Sequence, residues 1–83
     1  KQAYIISEHY QEIAEAIMEQ MGRGVTSLAA RGMYSDQEKK MLFCVVSKKE
    51  IVRLKEIVSE FDSSAFVIVS DAREVFGEGF IEY

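Results

Sequence analysis

Proline, tryptophan and asparagine are absent from this chain, and cysteine and histidine occur once each. The lone Cys44 rules out a disulfide framework, and its place in an apolar run suits a reducing, cytosolic setting. One cysteine and one histidine on different segments, without paired spacing, make no zinc site. No metal or other cofactor is expected. Also missing is any apolar run near the roughly 20 residues of a membrane span, and no signal-peptide pattern is present. Positive charge is in deficit: ten Lys and Arg stand against fourteen Asp and Glu, a net charge of −4. That speaks against nucleic acid as the main partner, because phosphate binding needs a basic face. It speaks equally against a polybasic membrane contact, while leaving room for a local basic patch.

With no low-complexity segment and no internal repeat, nothing marks a linker, and 83 residues make one domain. A chain this short buries only about 60 % of its unfolded surface. It therefore depends on well-patterned elements or on self-association. The 48 % hydrophobic fraction is that of a globular domain. The first residue is Lys1 rather than methionine, so the chain is expected to be a fragment of a longer protein.

What is present is a close succession of patterned segments. "AYIIS" at residues 3–7 reads as a strand. A helix follows over residues 8–21, with Tyr10, Ile13, Ala14, Ile17, Met18 and Met21 on one face. Ser7 is its expected N-cap and Gly22 its stop. "GVTSLAA" (24–30) reads as a second strand, "RGMYSDQEK" (31–39) as a connection, and "KMLFCVVS" (40–47) as the strongest strand. Ser47 and Glu50 have capping-box spacing and open a helix that runs to Phe61. "AFVIVS" (65–70) is the fourth strand, and residues 72–76 suggest a helical turn before "GEGF". Strand, helix, strand, strand, helix, strand is the split β-α-β pattern. It predicts an α+β, ferredoxin-like βαββαβ fold with a four-stranded antiparallel sheet in order 4-1-3-2 and both helices on one face.

Helices cover only one face of such a sheet, and the other should alternate with polar residues. "MLFCVV" (41–46) is apolar on both sides, as is "AFVIV" (65–69). The open face is therefore expected to be apolar, which marks a contact surface. Either it packs against a second copy or another part of a parent protein, or a C-terminal extension or the hairpin folds back over it.

Candidate chemistry is sparse. Arg31, Lys39 and Lys40 flank the hairpin with Tyr34 between them, a set able to clamp a nucleotide by charge and stacking. The plainer reading is a solvated loop. Gly22-Arg23-Gly24 offers backbone amides and a guanidinium near the second helix start. Lys48 and Lys49 oppose the helix dipole there and suit a neighbouring phosphate or carboxylate. The plainer reading is a helix stop, a strand start and solvated lysines. Gly77, Gly79 and Phe80 form either a ligand-contacting loop or a turn that docks the ring. His9 and Cys44 have no orienting partners in the pattern of a nucleophilic pair. The helical glutamates read as solvated faces. The acylphosphatase type of enzyme needs an asparagine and a glycine-rich cradle that this chain lacks. No enzyme is expected.

Several segments together resemble one family: "GRGVT", "GMYSDQEKKMLFCVVSKKE", "FDSSAFVIVSD" and "EVFGEGF". They are similar to the C-terminal domain of unknown function in YitT-type bacterial membrane proteins. Ser63 stands where the family pattern usually has proline, and Gly32-Met33-Tyr34 stands where it often has Gly-Tyr. The resemblance implies a domain on the cytoplasmic side of a bacterial cell membrane, following a multi-span region of the same parent chain. It also implies a fold akin to PII-like and ACT-like sensors. The resulting expectation is a non-catalytic regulatory domain that senses a small anionic ligand, with Arg23, Arg31, Tyr34, Lys39, Lys40, Gly77, Gly79 and Phe80 as candidate contacts. The alternative is an assembly module, a homo-oligomer through the sheet face with no ligand. Arg23 and the hairpin cations belong to opposite ends of the sheet, so they share a ligand only if a second subunit joins the two ends.

Overall fold

Alternation along the first strand decides which way the sheet faces. In the computed structural model, which describes residues 1–77, Gln2–Ile6 forms β1. Its Ala3 and Ile5 are wholly buried, while Gln2, Tyr4 and Ile6 are half-buried on the other face. The helix α1 (Tyr10–Met21) follows, then β2 (Thr26–Gly32), β3 (Gln37–Val45), α2 (Glu50–Phe61) and β4 (Phe66–Ser70). The sheet order is β2-β3-β1-β4 with every neighbour antiparallel. Read from the other edge this is 4-1-3-2, the ferredoxin-like arrangement. One core joins Ala3, Ile5, Leu42 and Cys44 of the sheet to Ile13 and Ile17 of α1 and Leu54, Ile57 and Val58 of α2. Both helices therefore cover the same face.

Local chemistry places the element ends. Gly22 adopts φ 66 and its N–H donates to the Met18 carbonyl at 3.1 Å, the left-handed stop read from the sequence. The start of α1 differs from expectation. His9, not Ser7, holds the N-cap position, and no side chain caps it. The Ser7 hydroxyl instead accepts the His9 N–H at 2.9 Å, closing a tight turn one step earlier. At α2 the Glu50 carboxylate accepts the Ser47 N–H at 2.7 Å, so the glutamate half of the capping box is made. Residues 72–76 form no helical turn. An isolated turn fixes several dihedrals for one hydrogen bond, and nothing here offsets that cost.

The hairpin is also longer in strand and shorter in loop than expected. β2 and β3 stay paired through Arg31↔Glu38 and Gly32↔Gln37, leaving only residues 33–36 as the turn. The Asp36 N–H donates to the Gly32 carbonyl at 2.6 Å, with Asp36 at φ 54. Ladder hydrogen bonds need no apolar side chains, so a charged run hid this stretch from the hydrophobic pattern.

The open face is apolar. Two rows cross all four strands: Thr26, Phe43, Tyr4 and Ile68, then Leu28, Met41, Ile6 and Phe66. The Tyr4 and Phe43 rings lie 5.0 Å apart, tilted by 42°. Phe66 and Ile68 are 69% and 51% exposed, so no part of the described chain covers that edge. On the opposite face, Leu54 is wholly buried between the layers. Leu54→Ala should cost about 2–5 kcal/mol, read as a lower midpoint in urea denaturation; an unchanged midpoint would deny Leu54 its place in the core.

Candidate functional site

Beyond the Ile6↔Met41 pairing, β2 and β3 leave the sheet as a two-stranded ribbon. Residues 29–32 pair only with residues 37–40 there. Strand alternation puts Ala29, Arg31, Glu38 and Lys40 on the face that continues buried Leu42, and Lys39 on the other. The Arg31 guanidinium donates to Asp36 at 3.4 Å, and both side chains are exposed. Gly32 has a steric role. A Cβ there would lie 2.8 Å from the Ser35 hydroxyl oxygen and 3.1 Å from Lys39 Cε.

Where the ribbon meets the body there are two grooves. The first, of about 580 Å³, lies between Tyr10 and the ribbon residues Ala29, Ala30, Arg31, Glu38, Lys39 and Lys40. The second, of about 410 Å³, lies between residues 6–10, residues 37–40, and Asp62, Ser64 and Phe66. They share Tyr10, Glu38, Lys39 and Lys40. Their charge differs. Arg31 and Lys40 share the ribbon face of one acid, Glu38, in the first, with Lys39 at its rim from the other face. Glu8, Glu38 and Asp62 line the second together with Lys39 and Lys40.

The second groove's base is a hydrogen-bonded corner. The Ser7 hydroxyl donates to Asp62 Oδ2 at 2.6 Å, and Asp62 Oδ1 accepts the Ser64 N–H at 2.9 Å. These bonds, the Ser7 one foremost, hold the Asp62 carboxyl below the usual carboxylate range. The corner ties the end of β1 to the end of α2. His9 Nδ1 lies 3.1 Å from Glu12 Oε2.

Of the candidate contacts named from the sequence, Arg31 and Lys40 come together on one face of the ribbon, while Lys39 points to the other. Tyr34 sits fully exposed at the ribbon tip beside Met33 and lines neither groove. The aromatic that lines both is Tyr10, which the helical period placed on the apolar face of α1. Its position as the first residue of that helix, next to the strand corner, was the available signal. Gly77 adopts φ 145 and lines neither groove. Gly79 and Phe80 lie outside the described residues.

Arg23 sits at the far end of the sheet. Its Nε donates to both Glu50 carboxylate oxygens at 3.1 Å, and its terminal nitrogen lies 3.0 Å from Oε1. The carboxylate suited to that helix start is thus the chain's own. Arg23, ahead of the Ser47 contacts, holds the Glu50 carboxyl below its ordinary value. Cys44 is buried, and desolvation, aided by the charge of Glu50, pushes its thiol up to about 11. It stays a protonated thiol at neutral pH, a poor nucleophile. Among the described residues no cluster of three or more His, Cys, Asp or Glu is placed to hold a metal ion. Nor is any described helix long and apolar enough to cross a membrane.

These features define a small ferredoxin-like domain with a basic groove at the root of a projecting hairpin. The chain belongs to the family described as "Uncharacterized protein conserved in bacteria (DUF2179)", which it matches over residues 23–77. It is 49% identical over 80 residues to the UPF0750 membrane protein YvjA of Bacillus subtilis (strain 168), covering 96% of this chain and 28% of that protein. To the UPF0750 membrane protein YitT of the same strain it is 35% identical over 75 residues, covering 90% and 27%. The resemblance to YitT-type proteins therefore holds, and the chain spans little more than a quarter of the length of these relatives. The crystal structure of an uncharacterized DUF2179 protein from Eubacterium ventriosum superposes with a TM-score of 0.73 at 35% identity, over 83% of this chain and 94% of that one. A functionally unknown protein from Pediococcus pentosaceus ATCC 25745 superposes at 0.70 with 11% identity, over 90% and 95%, a likeness of fold alone.

The Arg23–Glu50 pair has a pH signature. The folded Glu50 carboxyl is more acidic than its ordinary value of 4.5. Its stabilisation is therefore present above that value and is lost as pH falls through the lower folded value. Glu50→Gln should cost about 1 kcal/mol at neutral pH, and the gap to wild type should close on acidification, as followed by urea denaturation. A gap that stays constant across that range would remove the charge from the explanation.

Proposed function

We propose that this chain is a non-catalytic regulatory domain that senses a small anionic ligand for the membrane protein to which it is attached. The observation that carries the reading is the first groove, where Arg31 and Lys40 share one face of the ribbon with a single acid, Glu38, beside an aromatic ring in a chain of net charge −4. Its volume falls in the range of small-molecule sites, roughly 300–1,000 Å³. Arg31 brings a planar fork of donors suited to carboxylate or phosphate, and the lysines add point charges. The groove walls belong to two bodies, the ribbon and the start of α1, so a bound anion would draw the ribbon toward the body. That is a displacement a neighbouring membrane region can read. Buried Cys44 and Glu12-bound His9 supply no nucleophile and base pair, which supports a binding role over catalysis. The relatives named as membrane proteins support a membrane-domain parent, and the unpaired thiol supports the cytoplasmic side.

A second reading is an assembly module. It is favoured by the open sheet face, where two rows hold Leu28, Met41, Ile6, Phe66, Phe43, Tyr4 and Ile68 with Thr26 as their one polar member, and only the end row of Val45, Gln2 and Ser70 turns polar. An apolar face of this extent on a small chain marks a contact surface, here fitted to a second copy.

Thermal-shift measurements with inorganic phosphate, di- and tricarboxylates and nucleoside phosphates test the first reading. At least one should raise the melting point, since a ligand of the native state must stabilise it. The double substitution Arg31→Ala with Lys40→Ala should abolish the rise. No shift from any of these anions would overturn the sensing reading. Sedimentation tests the second: wild type should associate and Ile68→Lys should run as a monomer. A wild type that stays monomeric at about millimolar concentration counts against assembly.

A further inference from the structure

The second groove adds a constraint on the ligand, and this inference rests on the sensing reading above. An anion alone fits the first groove, where Arg31 and Lys40 share the ribbon face with one acid, Glu38. It does not account for the second, which adjoins the first along Tyr10 and residues 38–40 and is lined by three acids, Glu8, Glu38 and Asp62. Asp62 there is committed to the charged form, because the Ser7 hydroxyl and the Ser64 N–H both donate to its carboxylate. Those two bonds leave lone pairs of the carboxylate for another donor. Glu8 adds a second negative charge at the same corner. Tyr10 lines both grooves and so stands where they adjoin, a ring suited to a short hydrocarbon stem.

From this arrangement we propose that the ligand is a small zwitterion: a carboxylate or phosphate that sits by Arg31 and Lys40, joined by a short stem across Tyr10 to a primary ammonium beside Glu8 and Asp62. Opposite charges at both ends set orientation as well as affinity. A like-charged competitor, a dianion of the same length, places negative charge against Glu8 and Asp62 and is rejected. The sequence set this out of view, because Glu8 and Asp62 are 54 positions apart and meet only at the strand corners.

Matched pairs of probes that differ only in the amine test it: phosphoethanolamine against ethyl phosphate, and β-alanine and γ-aminobutyrate against propionate and butyrate. Calorimetric titration of the wild-type chain should give the amine-bearing member about tenfold tighter binding in at least one pair. The double substitution Glu8→Gln with Asp62→Asn should shrink that preference to less than about threefold. Equal or tighter binding of the amine-free members overturns the zwitterion and leaves the anion-sensing reading standing. A preference that survives the double substitution also overturns it, because the ammonium would then lie elsewhere. Binding by no member of any pair removes both readings.

Discussion

Ile5, wholly buried in the middle of β1, is the point through which the two layers hold each other. It stands beside Leu42 on one side and Val67 on the other, and the helix faces of Ile13, Ile17, Leu54 and Ile57 close over that row. Two helices of twelve residues are enough to cover one face of this sheet and no more. Every other feature follows from that limit. The opposite face keeps Tyr4, Phe43, Ile68 and Phe66 without a cover from the described chain, and the hairpin extends past the point where any helix or third strand supports it.

The unsupported ribbon is what frames the two grooves. Inside the sheet, a strand with Arg31, Glu38, Lys39 and Lys40 would place charges in a dry layer at a cost of several kcal/mol each. Past Ile6 the same residues are solvated, and the backbone ladder alone keeps their register. Arg31 and Lys40 consequently lie on the face that looks toward the start of α1, and the Ser7–Asp62 hydrogen bond keeps that start in place. The far end shows the opposite outcome. Arg23 and Glu50 satisfy each other, with each side chain about a quarter exposed, and the pair closes the entry to α2. Cations that looked alike in the sequence thus divide into a structural pair and an open set.

The fold was legible because its signals are periodic. Residues at helical spacing gave both helices, and Gly22 marked a stop that the structure keeps as a left-handed residue. The continuous apolar runs in β3 and β4 revealed the bare face before any topology was known, since a strand covered on one side has no need of them. Where the signals failed, a specific competitor won. The charged stretch 37–39 read as loop because hydrophobic alternation is blind to backbone pairing. Residues 72–76 read as a helical turn because composition alone does not pay for nucleation. Tyr34 looked like the stacking ring because it sits between the cations in sequence, yet a four-residue turn carries it to the tip.

By itself the sequence determined the element order, the ferredoxin-like topology, most of the core and the apolar character of the open face, although Met18, read onto the core face of α1, is exposed and Ala16 is buried instead. All of these rest on local period, which a linear chain displays directly. Only the tertiary structure decided which charges meet. Ser7 with Asp62, Arg23 with Glu50, and Tyr10 with Lys40 are separated by 55, 27 and 30 positions, and no period connects them. Their proximity comes from antiparallel pairing, which returns distant segments to the same end of the sheet, and from corner hydrogen bonds that hold the returning ends together.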